Sequence, residues 1–145
     1  MRGEMWAVLT ALCWGIGSLL EKRGVKMGDL TPVVGTLIRT VFSLLFLLIV
    51  SFQYWSEIKT AGIKSISLIA IGGGLLAGGL GIVSLYTGLK TGNLSTVMTI
   101  AFCLAPVVTT LLGYFVLSEK LSAMQLVGIV LCIAGASMVT FFKQA

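Results

Sequence analysis

Histidine is absent from this 145-residue sequence, and Asp and Glu together number only five. The missing imidazole removes the commonest general base and metal ligand. The few carboxylates mostly flank apolar runs instead of clustering, so no enzyme is expected and no metal or cofactor is implied. Charged residues of both signs make up 10% of the chain, where soluble domains carry about 25%. That excludes an ordinary water-soluble domain. Cysteine is scarce as well. Cys13, Cys103 and Cys132 lie inside apolar stretches and form no C-x-x-C pair, which reads as structural thiols and not as a disulfide or metal framework.

What the sequence does hold is apolar: 57% of its residues are hydrophobic, and its mean hydropathy is +1.07. This is a membrane composition. A formal net charge of +5 would suggest nucleic acid in a polar protein. Here the basic residues stand singly or in pairs at the ends of apolar runs, as loop charges do, and no nucleic-acid partner is expected.

Five apolar spans follow one another, at about residues 5–24, 32–52, 66–89, 94–117 and 123–142. Each is near the roughly 20 residues needed to cross about 30 Å of hydrocarbon. Arg2 ahead of the first run fits a signal peptide, but no A-x-A site follows it. Leu12 before Cys13 is also too large for a lipoprotein-type cleavage site, so the first span is expected to stay in the protein. Pro32 opens the second span at a favourable first-turn position. Residues 53–65 read as an aqueous link, with Tyr54 and Trp55 as interfacial anchors and Lys59 and Lys64 in water. The short turns at 90–93 and 118–122 make consecutive helices antiparallel neighbours, and no soluble domain is left over.

An odd number of spans puts the termini on opposite sides of the membrane. One side then carries Arg2, Lys59, Lys64 and Lys120, and the other Lys22, Arg23, Lys26, Lys90 and Lys143. Four against five is almost no bias, so the positive-inside rule fixes no orientation. Either a partner resolves the weak bias, or copies insert both ways and pair antiparallel.

Polar residues inside the spans mark candidate function. Thr10, Trp14, Ser18 and Lys22 recur every four residues and share one helix face. Such a stripe suits a polar cavity, since polar groups in hydrocarbon need partners or water. Arg39 shares a face with Thr36 and Ser43 and costs about 2.5–3.5 kcal/mol at mid-membrane. It either pairs with Glu21 or a carbonyl cluster, or joins Lys22 in holding an anionic group. Gly74 and Gly78 in the third span form a G-x-x-x-G pair for close helix packing or for bending. Pro106 frees the carbonyl of Phe102, and a kink there is expected to line a cavity. Gly128 and Gly135 form a packing stripe on the last span.

Together these residues resemble the drug/metabolite transporter superfamily, in particular a single EamA-type domain. Trp14-Gly15 followed by Lys22 looks like the first-helix signature of that family, and Pro32 followed by Arg39 like its second. Leu104-Ala105-Pro106 is similar to its fourth-helix pattern. The run Leu117-Ser118-Glu119-Lys120-Leu121-Ser122, then Gln125, Gly128 and Gly135, is similar to the pattern closing each repeat. Most members carry two inverted repeats and this chain has one. The resemblance therefore implies an antiparallel homodimer of ten helices. In the four-helix small multidrug resistance relatives a first-helix glutamate stands eight residues before a lysine, whereas here Trp14 stands eight before Lys22. That departure argues against proton/cation antiport.

The expectation is thus an all-α, five-helix integral protein of the cytoplasmic (inner) membrane, surrounded by lipid, moving a small metabolite or drug-like compound by alternating access. Trp14, Ser18, Lys22, Arg39, Tyr86, Thr99 and Cys103 are the expected substrate contacts. Gly74, Gly78, Pro106, Glu119, Gly128 and Gly135 are the expected packing residues. The alternatives are an accessory subunit of a heteromeric small transporter and a flippase for a lipid-linked carrier.

Overall fold

The computed structural model describes residues 3–142. Arg2 and Lys143, which enter the charge count on opposite sides, lie outside the described residues. Among those residues, five helical segments are long and apolar enough to cross a membrane. They group into two compact units, residues 1–91 and 92–145.

The first unit holds three spans. Helix α1 (Gly3–Met27) is followed by a turn and by α2 (Pro32–Ser51). Thr31 caps α2 through its side-chain oxygen, which accepts from the Val34 amide, and Pro32 begins the helix where its missing N–H costs nothing. The chain leaves α1 through Asp29 in the left-handed region, φ 43°. The Leu30 amide then donates to the carbonyl of Val25 at 3.0 Å, closing the helix end as a Schellman-type cap does. Lys90 ties this turn down. Its ammonium reaches Asp29 Oδ1 and the Leu30 carbonyl, both at 3.0 Å.

Residues 53–65 differ from the expected aqueous link. Helix continues past Ser51 through a 3-10 turn (Phe52–Tyr54) into α3 (Trp55–Thr60), and α4 (Gly62–Ile69) starts two residues later. Gly62, at φ 73°, makes the turn. A left-handed backbone suits glycine because it has no Cβ. The physical reason for the difference is that Lys59 and Lys64 can sit on helical turns in an interface as readily as on a loop, their long stems reaching water.

From α4 the third span passes into a π-helical segment (Ala70–Gly81) and then α5 (Ile82–Thr91). Twelve residues is long for a π-helix, which mostly occurs as single-turn bulges. Glycine makes it sterically possible. A Cβ on Gly78 would lie 2.9 Å from the carbonyl oxygen of Gly73, five residues back, and one on Gly81 would lie 3.2 Å from that of Leu76. Gly74, by contrast, has open space around it. Gly78 is thus closely packed within its own helix, and both Gly74 and Gly78 border a groove that faces α2.

The core of this unit is small and lies between α1, α2 and α5. Val25, Ile82, Tyr86 and Leu89 are buried, with Ser18 and Thr36 as buried hydroxyls. Ser18 satisfies its hydroxyl on the Gly15 carbonyl and Thr36 on that of Pro32, at 3.0 and 2.9 Å. Large side chains such as Phe46, Ile49 and Leu68 face outward. In water an apolar surface of this extent would be a liability. In lipid it is the matching solvent face.

The second unit is a helical hairpin, α6 (Leu94–Leu117) packed on α7 (Ala123–Phe141). Helix α6 runs continuously through Pro106, and Thr109 just after it donates to the carbonyls of Ala105 and Pro106 at 3.0 and 3.1 Å. The helix ends on Ser118, in the left-handed region at φ 55°, and the Glu119 amide returns to the Gly113 carbonyl at 3.1 Å. Ser122 and Gln125 start α7 with a reciprocal capping box. Gly128 and Gly135 on α7 have open space above their Cα atoms.

Candidate functional site

Glu21 and Arg39 organise the first unit. Glu21 lies six residues before the end of α1, and Arg39 seven residues after the start of α2. At about 1.5 Å per residue both stand roughly 10 Å from the same turn, one on each of two joined helices. Arg39 Nε donates to Glu21 Oε1 at 2.9 Å. The guanidinium carbon also lies 5.6 Å from the centroid of the Trp14 ring, within cation–π range. The costliest residue in the second span is thereby neutralised and covered.

Two clefts meet at this pair. One, of about 220 Å³, is lined by Cys13, Trp14, Gly17, Ser18, Glu21, Arg39 and Leu85. The other, of about 730 Å³, is lined by Glu21 and Arg39 again, with Tyr86, Gly35, Phe42 and Ser43 among its walls. A third groove, of about 500 Å³, runs between the polar stripe Thr36, Arg39, Thr40 and Ser43 of α2 and the glycines of the π-helical segment. Arg39 borders all three. Tyr86 lines the same cleft as Glu21, and its ring lies flush on α2. A Cβ on Gly35 would come within 2.7 Å of the Tyr86 ring and 3.0 Å of Val25.

Of the residues expected at a substrate site, the structure brings together Trp14, Ser18, Arg39 and Tyr86 around Glu21. Ser18 is almost fully buried. Lys22, half-buried on α1, does not line these clefts. Thr99 and Cys103 belong to the second unit, half-buried on α6, where the Cys103 thiol neighbours that of Cys132 on α7. Glu119, Pro106 and Gly128 line a cleft of about 390 Å³ in the same hairpin.

Two participants were not among the expected contacts. Glu21 was legible as the one acid at matched depth to Arg39 across a short turn. Gly35 carried no such signal, because nothing in the sequence says which ring will press against it.

Five spans long and apolar enough to cross a membrane among the described residues, with an ion pair and an indole bordering clefts in the first unit, fit a multi-pass membrane protein. Residues 1–141 match the EamA-like transporter family, and the chain belongs to that family. It is accordingly a membrane transporter of small compounds. No curated protein and no solved structure matches the chain.

Proposed function

We propose that the chain moves a small metabolite by alternating access through the clefts around Glu21 and Arg39. A second copy, inserted in the opposite orientation in the cell membrane, completes the carrier. The observation that carries this reading is the 2.9 Å ion pair between Arg39 and Glu21 under Trp14. An ion pair in a span is expensive to open unless each charge finds a new partner. A singly charged ligand would satisfy one partner and strand the other. A net-neutral compound offering a donor to Glu21 and an acceptor to Arg39 satisfies both, and its apolar part can lie on Trp14.

Two further features support the cycle. The π-helical segment connects to the helix that bears Tyr86, and π-helical turns recur at functional sites. A shift there would lift Tyr86 from Gly35 and change access to Glu21. The nearly even charge count, four against five on the two sides, fits insertion in both orientations. No Asp or Glu lies near the middle of any span, so a proton gradient alone does not drive uphill transport through such a carboxylate here.

Trp14→Ala in a reconstituted uptake assay tests the site. Weaker apparent affinity with the protein still folded is the expected outcome, and unchanged affinity and rate remove Trp14 from the substrate path.

A further inference from the structure

Glu119 belongs to the second unit and shares no residue with the clefts around Arg39. Its place at the start of the α6–α7 turn suggests a helix-capping carboxylate, satisfying the first amides of α7. That task is already taken. Ser122 Oγ accepts from the Gln125 amide at 3.2 Å, and Gln125 Oε1 accepts from the Ser122 amide at 2.8 Å. Nor is Glu119 in a salt bridge. The ion pairs Arg39–Glu21 and Lys90–Asp29 lie in the first unit, and the adjacent Lys120 does not pair with it.

The Glu119 backbone is nonetheless fixed. Ser118 adopts the left-handed conformation at φ 55°, a costly choice for a residue with a side chain. This turns Glu119 back along α6 and anchors its amide on Gly113. Gly113 supplies the room: a Cβ there would lie 2.7 Å from Glu119 Oε2 and 3.4 Å from its carboxyl carbon. A left-handed residue and a glycine together place the exposed Glu119 carboxylate at the edge of a cleft.

The cleft has a definite chemistry. Thr109, Thr110 and Gln125 offer polar groups near Glu119, and Leu121, Ile129 and Pro106 supply apolar wall. Its volume of about 390 Å³ falls in the range of small-ligand sites. The C-terminal end of α6 adds partial negative charge beside the carboxylate. Charge and dipole both call for a cation. A bare metal ion asks for several oxygen ligands at short range, which a wall half made of hydrocarbon does not provide. An organic ammonium needs one carboxylate for its head and apolar surface for its chain.

We propose that the α6–α7 cleft is a binding site for small alkylammonium compounds, with Glu119 pairing the ammonium and Leu121, Ile129 and Pro106 receiving the chain.

The test uses the full chain in a non-ionic maltoside micelle, with n-butylammonium as probe and ligand-detected NMR as readout. Saturable binding is expected, weakened at least about tenfold by Glu119→Gln. Gly113→Ala keeps the charge but pushes the carboxylate out of the cleft, and it should weaken binding several-fold. The helical circular-dichroism signal of each variant checks that it remains folded. Glu21→Gln should abolish transport and leave butylammonium binding intact, so failure at one site is distinguishable from failure at the other. Equal binding by wild type and a folded Glu119→Gln protein overturns the proposal. So does displacement of butylammonium by sodium at equal concentration, which would make this a bare-cation site.

Discussion

Arg39 reaches across from the second span to Glu21 on the first, Nε to Oε1 at 2.9 Å. Each residue alone would be a charge stranded in hydrocarbon. Together they form a neutral unit, and the Trp14 face 5.6 Å from the guanidinium shields it further.

Removing one partner should therefore cost more than removing both. Arg39→Ala or Glu21→Ala alone is expected to destabilise the protein by about 1.5–3 kcal/mol, the range for hydrogen bonds to charged groups. The double substitution to alanine should cost less than the sum of the single changes. Thermal unfolding in detergent, arranged as a double-mutant cycle, gives the coupling. Strict additivity would show that the pair contributes nothing to the fold.

Tyr86 on Gly35 is a packing lock between α5 and α2. Gly35→Ala places a methyl group 2.7 Å from the ring, and the overpacking should cost about 1–3 kcal/mol. In a Tyr86→Ala background the same change should cost clearly less, because the obstructing ring is gone and only Val25, at 3.0 Å, remains. An undiminished cost without the ring would locate the strain elsewhere.

Gly74 and Gly78 look alike in sequence and should behave differently. Gly78→Ala meets the Gly73 carbonyl at 2.9 Å, while Gly74→Ala meets nothing within 4 Å. Transport should fall about tenfold or more with the first and stay within about twofold with the second, with both proteins folded, if the π-helical segment carries the conformational change. Equal tolerance of both would remove that role.

Much of this was readable before any coordinates. Low charge and five apolar runs are sufficient for a five-span helical protein, because backbone groups in lipid must bond internally. Arg39 stood out by its cost, and Trp14 by its place on a polar face. The π-helical segment was not readable. Helical periodicity assumes about 3.6 residues per turn, and a G-x-x-x-G pair read on that period implies a neighbouring helix. The helical run from Phe52 to Thr60 is not legible, because lysines and interfacial aromatics read the same on a loop as on a helix. In sequence Glu119 reads as a packing residue of the closing turn. Its freedom became visible only once Ser122 and Gln125 were seen to cap α7 between themselves.

Opposite insertion of two copies predicts that each terminus is reachable from both faces of the cell membrane. Single cysteines placed at either end of a protein with Cys13, Cys103 and Cys132 replaced by serine or alanine should label with an impermeant maleimide from both sides, in comparable amounts. One-sided labelling of both ends would exclude the antiparallel homodimer.

Efflux from proteoliposomes reports most directly on transport through the Glu21–Arg39 site. Vesicles carrying the purified protein and loaded with a mixture of small metabolites are sampled by mass spectrometry. Protein-dependent loss of a net-neutral compound is expected for the wild type and is abolished by Glu21→Gln and by Arg39→Met. Efflux that continues at the wild-type rate in both variants, with both folded, would contradict transport through this site.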